Sequence, residues 1–133
     1  VEMSRLRRLF PGCLDAERYA LAVELDSDAE HVRRALRAGS IRLAAERYRG
    51  CLLERSEAPG VVRQRDELDG WVRNAVLTSD DCDAMWHWVQ TSSGDQDLMA
   101  WSRLLGALPY DDARRPKVAA HLGALRQELQ TPV

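Results

Sequence analysis

Three arginines within the first eight residues are the first place where this sequence could do chemistry. Arg5, Arg7 and Arg8 lie in a segment with apolar residues at helical spacing, namely Met3, Leu6, Leu9 and Phe10. The segment therefore predicts an amphipathic helix with guanidinium groups on its polar face. Such groups bind phosphates and base edges of nucleic acids. Cations near a helix C-terminus are equally typical of a solvated helix end, so the residues alone leave both interpretations open.

Two tryptophans offer a second kind of chemistry, which is contact with another protein. Trp86 and Trp88 lie two residues apart in a segment of helical composition. Residues at that spacing diverge by about 200° around a helix, so both rings cannot face inwards. The ordinary role of a tryptophan is in the core. One of this pair is a candidate for a protein-partner surface, where aromatic side chains concentrate binding energy.

The remaining titratable residues do not form a recognisable catalytic or metal-binding pattern. His31, His87 and His121 are far apart, and no cysteine has a zinc-type spacing to a histidine. The acidic pairs Asp80–Asp81 and Asp111–Asp112 stand where helices should begin, which indicates capping. The sequence has no glycine loop for phosphate and no nucleophile motif with a base. We therefore expect no enzyme activity, no cofactor and no metal.

Composition limits the environment of the chain. The formal net charge of the 133 residues is −2, so there is no global basic field to attract nucleic acid. Three widely spaced cysteines make a disulfide framework improbable and predict a reducing compartment. No apolar run approaches the roughly 18 residues that a membrane span needs. These features predict a cytoplasmic protein without membrane contact.

A strand-like segment follows the arginine helix. Pro11–Gly12 stops the helix, and the residues from Arg18 to Leu25 alternate between apolar and other side chains, with a period of two. With the short apolar pair Cys13–Leu14, this segment predicts a small β-hairpin. An arginine-bearing helix followed by a hairpin is typical of the second half of a winged helix-turn-helix.

From residue 26 onward the sequence predicts helices only. Ser27 and Glu30 form a capping box for a helix that ends at Gly39. Ser40 is placed to cap a second helix, in which apolar residues recur at Ile41, Ala44, Ala45, Tyr48 and Leu52. Two such helices around a Gly-Ser turn predict a tetratricopeptide-like hairpin.

Four more helices are predicted after this pair. Pro59 suits the first turn of a long helix whose inward face includes Leu68 and Trp71. Three shorter helices follow. Their predicted N-terminal caps are, in order, Asp80 or Asp81, Asp95, and Asp111 or Asp112.

Several segments resemble bacterial transcription regulators. Met-Ser-Arg-Leu-Arg-Arg-Leu, residues 3–9, resembles the recognition helix of winged-helix regulators, and residues 18–21 resemble a last wing strand. Three further segments are similar to the bacterial transcriptional activation domain of the Streptomyces antibiotic regulatory protein family. These are residues 35–39, 44–53 and 65–68. The whole chain resembles the C-terminal part of actinobacterial regulators with an upstream GAF domain, most distinctively at residues 52–62.

The resemblance implies a domain organisation and a set of contacts. Residues 1–25 would be the end of a winged-helix DNA-binding domain, and residues 26–133 would be an activation-type helical domain. Glu2, Ser4 and Arg5 would face the DNA groove, and Arg8 would contact a phosphate. Arg18 would be the only basic side chain in the wing. The expected partners are double-stranded DNA in the intact protein and a protein, which could be a sensory domain, the transcription machinery or a second copy.

Two hypotheses about function remain open at this point. One is a DNA-binding transcriptional regulator whose helical part couples the DNA-binding domain to its partners. The alternative is a helical protein–protein interaction module with no DNA contact of its own. The predicted fold class is mainly α, a tetratricopeptide-like stack of helical hairpins behind a recognition-type helix and a small β-hairpin, that is, a partial winged helix.

Overall fold

The computed structural model describes residues 2–15, 20–21 and 27–130. Within these residues the chain forms seven α-helices and one short pair of strands. Their bounds, in chain order, are α1 Glu2–Leu9, β1 Leu14–Asp15, β2 Ala20–Leu21, α2 Asp28–Arg37, α3 Ile41–Arg47, α4 Pro59–Thr78, α5 Cys82–Val89, α6 Leu98–Ala107 and α7 Arg115–Gln130.

The predicted mainly α class is confirmed, whereas the predicted partial winged helix is wrong. The described β-structure is limited to two antiparallel residue pairs, Leu14 with Leu21 and Asp15 with Ala20. A two-stranded hairpin of this length is marginal in water on its own. The described side chains of α1, from Ser4 to Leu9, are all exposed, so α1 does not bury a face as the recognition helix of a winged domain does.

The predicted strand from Arg18 to Leu25 lies outside the described residues, except for Ala20–Leu21. The predicted domain boundary between residues 25 and 26 also lies outside them.

The helix pair α2–α3 follows the predicted caps at Ser27 and Gly39 and departs from them at Glu30 and Ser40. The Ser27 hydroxyl accepts a hydrogen bond from the Glu30 backbone N–H at 3.2 Å, as an N-cap does. The Glu30 carboxylate binds Arg37 instead of completing the box. Gly39 ends the pair's first helix at φ +71°, a conformation that glycine adopts without strain. Ser40 occupies the N-cap position of α3, but its side chain makes no capping bond.

Helices α2–α7, called the bundle below, enclose one continuous core. Helix α3 packs against α2, α4 and α5, and α5 in turn packs against α4 and α6, which carries α7. The largest fully buried side chains come from five of these helices. They are Trp88, Trp101, Met85, Leu104, Val32, Val72, Val76, Val89 and Val118. None of the described helices is both long enough and apolar enough to cross a membrane.

The predicted helix starts are right at α4 and α5 and shifted at α6 and α7. Pro59 is in the first turn of α4, and Asp81 caps α5 by accepting from two backbone N–H groups. The cap of α6 is Asp97 rather than Asp95. Asp112 accepts from the Arg114 backbone N–H, so it closes a turn just before α7 instead of opening that helix.

The inward face of α4 is narrower than predicted. Leu68 is 3% exposed, together with buried Val72 and Val76, whereas Trp71 is 41% exposed. Trp71 is 60° away from Leu68 around a regular helix of about 100° per residue, so it lies at the edge of the face that α2, α3 and α5 cover.

We predict that Leu68→Ala lowers the free energy of unfolding by about 2–5 kcal/mol, because it leaves a cavity at a fully buried site. Arg63→Ala, at an exposed position of the same helix, should change it by less than about 0.5 kcal/mol. Chemical denaturation of both variants measures the difference. Equal losses would contradict this assignment of the buried face of α4.

Candidate functional site

A cavity of about 340 Å³ opens between the start of α2, the chain that follows α3, and α4. This volume lies within the roughly 300–1,000 Å³ typical of ligand pockets. We call it the Tyr48 cavity. Its apolar lining consists of Ala29, Val32, Tyr48, Leu52, Leu53 and Leu68, its polar lining of Gly50, Cys51 and Ser92, and its charged lining of Asp28, Arg47, Arg49 and Glu54.

One arginine holds the outer wall of the Tyr48 cavity. The Arg65 guanidinium, on α4, donates hydrogen bonds to the carbonyl oxygens of Leu52 at 2.9 Å, Leu53 at 2.6 Å and Ser56 at 2.9 Å. These carbonyls belong to the non-helical chain between α3 and α4. Because one rigid fork satisfies three of them, the wall keeps its shape without secondary structure.

Two backbone positions let this wall turn so tightly. Gly50 has φ +132°, which side-chain-bearing residues rarely adopt, and a Cβ there would meet the Ser92 hydroxyl at 3.1 Å. Leu53 has φ +45°, and its side chain is 63% exposed. An apolar side chain is thus presented to solvent at the mouth of the cavity.

A cluster of four polar side chains lies beside the cavity, and we call it the polar cluster. The Asp69 carboxylate accepts hydrogen bonds from the Tyr48 hydroxyl and, at 2.8 Å, from the Ser93 hydroxyl. The Cys51 thiol lies 3.5 Å from Asp69 and 3.1 Å from the Ser93 oxygen. Three chain segments therefore meet at one carboxylate.

Tyr48 links the polar cluster to the core. Its ring stacks on Trp88, with centroids 5.6 Å apart and planes 26° from parallel. Burial raises the pKa of the Tyr48 hydroxyl above its ordinary value, and the hydrogen bond to Asp69 raises it further. The hydroxyl therefore remains a hydrogen-bond donor throughout the neutral pH range.

Trp88 is held in turn by Asp97. The Asp97 carboxylate accepts from the Trp88 indole N–H at 3.2 Å and from Arg73 at 2.6 Å and 3.0 Å, and it caps α6 through the Ala100 N–H. Burial alone would raise the pKa of Asp97. Hydrogen bonds from Arg73, Ala100 and Trp88 outweigh it and lower the pKa below the ordinary value.

A glycine places both Ser93 and Asp97. At Gly94 an added Cβ would stand 2.0 Å from the Trp88 carbonyl oxygen, so only glycine fits without moving the backbone. This close approach lets the chain after α5 fold back over the helix end. Ser93 then reaches the polar cluster and Asp97 reaches Trp88.

A separate network of ion pairs covers the opposite end of α5. Asp81 binds Arg42 through two hydrogen bonds, at 3.0 Å and 3.1 Å, and Arg114 bridges Asp83 and Asp112. The direct hydrogen bonds of Arg114 lower the pKa of Asp112 to about 2. Of the two acidic pairs of the sequence, Asp80, Asp81 and Asp112 thus serve as caps or ion-pair partners. Among the described residues, no group of three or more His, Cys, Asp or Glu could hold a metal ion.

The residues predicted to touch DNA lie on or near α1. Ser4, Arg5 and Arg8 are exposed there. Glu2 belongs to the same helix, but its side chain is not among those described, and Arg18 lies outside the described residues. Ser4, Arg5 and Arg8 are not part of the lining of the Tyr48 cavity.

The two candidate tryptophans occupy different environments. Trp88 is 2% exposed and belongs to the core, so it faces no partner. Trp86 is half-buried, and Arg114 and Lys117 stand over its ring at 5.8 Å and 5.0 Å from the centroid. The pair diverges, as the helical spacing requires, and Trp86 is the one that reaches the surface.

Helices α5–α7 bear a recognisable family resemblance. Residues 81–131 match the family described as YTH3-like protein, third C-terminal helical domain. This match spans the three C-terminal helices, and the C-terminal part of the chain is thus similar to a helical domain of that family. No curated protein matches the chain, and no solved structure does.

We predict that Tyr48→Phe costs about 1.5–3 kcal/mol of unfolding free energy, since it removes a buried hydrogen bond to a charged group. Tyr110→Phe is the matched control, because that ring is 93% exposed and its variant should stay within about 0.5 kcal/mol of the native chain. Urea denaturation measures both. A Tyr48→Phe variant as stable as the control would mean that the polar cluster does not stabilise the fold.

A second prediction concerns pH. The pKa of Asp97 is lower in the folded chain than in the unfolded one, so its stabilisation is complete above the unfolded value of about 3.9 and is lost as the pH falls below it. Asp97→Asn should therefore have a lower free energy of unfolding than the native chain at pH 7. This difference in free energy should become smaller below about pH 4. Asp66→Asn, at an exposed position of α4, is the control. A difference in free energy of unfolding that stays constant with pH would contradict this role of the carboxylate.

Proposed function

We propose that this chain is a helical protein-interaction module whose Tyr48 cavity receives an amphipathic helix of a protein partner. The observation that carries the proposal is the lining of the cavity, in which apolar side chains are bordered by charges that form no ion pair with any described residue. An apolar groove with a charged rim is a standard receptor for a helix with apolar anchors at i, i+3 and i+4.

Four charged side chains at the cavity have no ion pair among the residues that the structure describes. Arg42, Arg73, Arg103 and Arg114 pair with aspartates, and Arg65 and Arg115 bind backbone carbonyls. Arg47 and Arg49, at the cavity, have no ion pair within the described part of the chain, nor do Asp28 and Glu54 across from them. Unpaired charges of both signs at one rim favour a partner segment that itself carries both signs.

The resemblance to regulators agrees with such a role. A helical region behind a sensory or DNA-reading domain acts by binding proteins, and the similarity of residues 81–131 to a C-terminal helical domain is compatible with it. On this proposal the chain couples such domains to a partner, and it carries out no chemistry of its own.

A display library of short amphipathic helical peptides, selected on the purified chain, supplies a probe for the cavity. We expect a selected peptide to bind saturably in fluorescence anisotropy, and Leu53→Asp to weaken it about tenfold, which corresponds to about 1.4 kcal/mol. Aspartate tolerates the positive φ of this position, so the variant should fold. Circular dichroism checks that it does.

Met99→Asp is the matched control, because Met99 is also an exposed apolar residue, 57% exposed, and lies on α6 away from the cavity. It should leave peptide affinity unchanged. If selection yields no saturable binder, or if the selected peptides bind Leu53→Asp as tightly as the native chain, the cavity is not an interaction site.

A second candidate function is contact with DNA in a transcriptional regulator, and the exposed arginines of α1 favour it. Arg5, Arg7 and Arg8 make no ion pair in the part of the chain that the structure describes, and Ser4 lies exposed beside them. This candidate does not require a winged helix. It requires only that a basic helix face reach a groove and its phosphates.

We expect this chain to bind duplex DNA weakly through α1. In an anisotropy titration over a salt series, Arg8→Ala should lower the dependence of log K on log salt by about one unit, as the loss of one phosphate contact does. Arg126→Ala, an exposed arginine on α7, should not alter it. An affinity for DNA that changes neither with the salt concentration nor with Arg8→Ala would rule out this candidate.

A further inference from the structure

Helix α1 has the features that the Tyr48 cavity calls for. Leu6, Leu9 and Phe10 are 36%, 63% and 52% exposed, and they follow the i, i+3, i+4 spacing of helix-in-groove anchors. They form one apolar stripe that faces solvent in this structure.

The charges of α1 also suit the rim of the cavity. The helix begins with Glu2 and continues with Arg5, Arg7 and Arg8. The rim offers Arg47, Arg49, Asp28 and Glu54, which have no ion pair within the described ranges of the chain. A segment with one acidic end and a basic remainder can therefore find opposite charges for both of its parts.

From this complementarity we propose that α1 of one chain docks into the Tyr48 cavity of a second copy, and that the exchange is reciprocal. This inference rests on the proposed function, because it names the partner that the cavity receives. In the single chain the stripe of α1 is exposed and outside its own cavity, so a second copy offers it a place for burial.

Reciprocal exchange closes the assembly at two chains. Each copy gives one helix and receives one, so both apolar surfaces are buried and none is left to recruit a third chain. A one-way contact between the same surfaces would instead leave a free helix and a free cavity at the ends and would produce open chains. The inference therefore specifies a two-fold dimer.

Light scattering coupled to size-exclusion chromatography over a concentration series tests the dimer. We expect the native chain to shift from 15.0 kDa to twice that mass as the concentration rises. Leu9→Asp, which places a charge in the stripe, and Leu53→Asp, which places one at the cavity mouth, should each raise the dissociation constant tenfold or more. Met99→Asp should leave it unchanged.

Mixing the two variants distinguishes reciprocal exchange from other dimers. Leu9→Asp keeps an intact cavity and Leu53→Asp keeps an intact α1, so a one-to-one mixture restores one of the two contacts. We expect the mixture to form a heterodimer at concentrations where each variant alone is monomeric. A Leu53→Asp chain that dimerises as well as the native chain would show pairing of α1 with α1 and would overturn the inference.

The outcomes also separate this inference from the proposed function. If the native chain stays monomeric at all concentrations while selected peptides still bind the cavity, the second copy is not the occupant and the interaction module stands. If neither dimer nor peptide binding is found, both fail. Circular dichroism of each variant ensures that loss of binding does not reflect loss of fold.

Discussion

The bundle depends on one buried carboxylate, that of Asp97. It joins Arg73 on α4, the Trp88 indole N–H on α5 and the first turn of α6. A charge with 8% of its side chain exposed would be costly without partners, and each of these partners would lose its own hydrogen bond without it. Three helices are thereby fixed at one point, and the orientation of the Trp88 ring follows from it.

The shape of the Tyr48 cavity depends on the hydrogen bonds of Asp97 that fix Trp88. Because Trp88 is fixed, its stacking partner Tyr48 is fixed, and with it the hydroxyl that reaches Asp69 and Ser93. Helix α3 ends immediately before Tyr48, so the chain beyond it is free to form the outer wall that Arg65 holds. The cavity is therefore a consequence of the core packing, and a partner that binds there meets a preformed surface, which lowers the entropic cost of binding.

Local signals in the sequence were sufficient for what neighbouring residues decide. The cap at Ser27, the turn at Gly39, the first-turn Pro59 and the cap at Asp81 each depend on a few adjacent residues, and the structure has them as predicted. The start of α6 was misplaced because Asp95 and Asp97 are equally good caps locally. Only the long-range bonds from Arg73 and Trp88 select Asp97.

The candidate site could not be predicted in the same way. Tyr48, Asp69 and Ser93 are 21 and 24 residues apart, and no short motif records that they meet. The one usable signal is Tyr48 within the apolar pattern of the predicted second helix, which indicates burial but not a hydrogen bond. The predicted winged helix is wrong, since the described ladder pairs only Leu14 with Leu21 and Asp15 with Ala20, and so short a hairpin is marginal in water.

Hydrogen exchange at the indole N–H groups, measured by NMR for each of the four tryptophans, tests most directly whether the buried network holds the bundle together. Trp88 donates to Asp97 and Trp101 to the Asp95 carbonyl at 2.8 Å, and both rings are buried, whereas Trp71 is exposed. We expect the indole protons of Trp88 and Trp101 to exchange only when the whole chain unfolds. The indole proton of Trp71 should exchange before the first NMR spectrum is recorded. A Trp88 proton that exchanges as fast as that of Trp71 would contradict this role of the buried network.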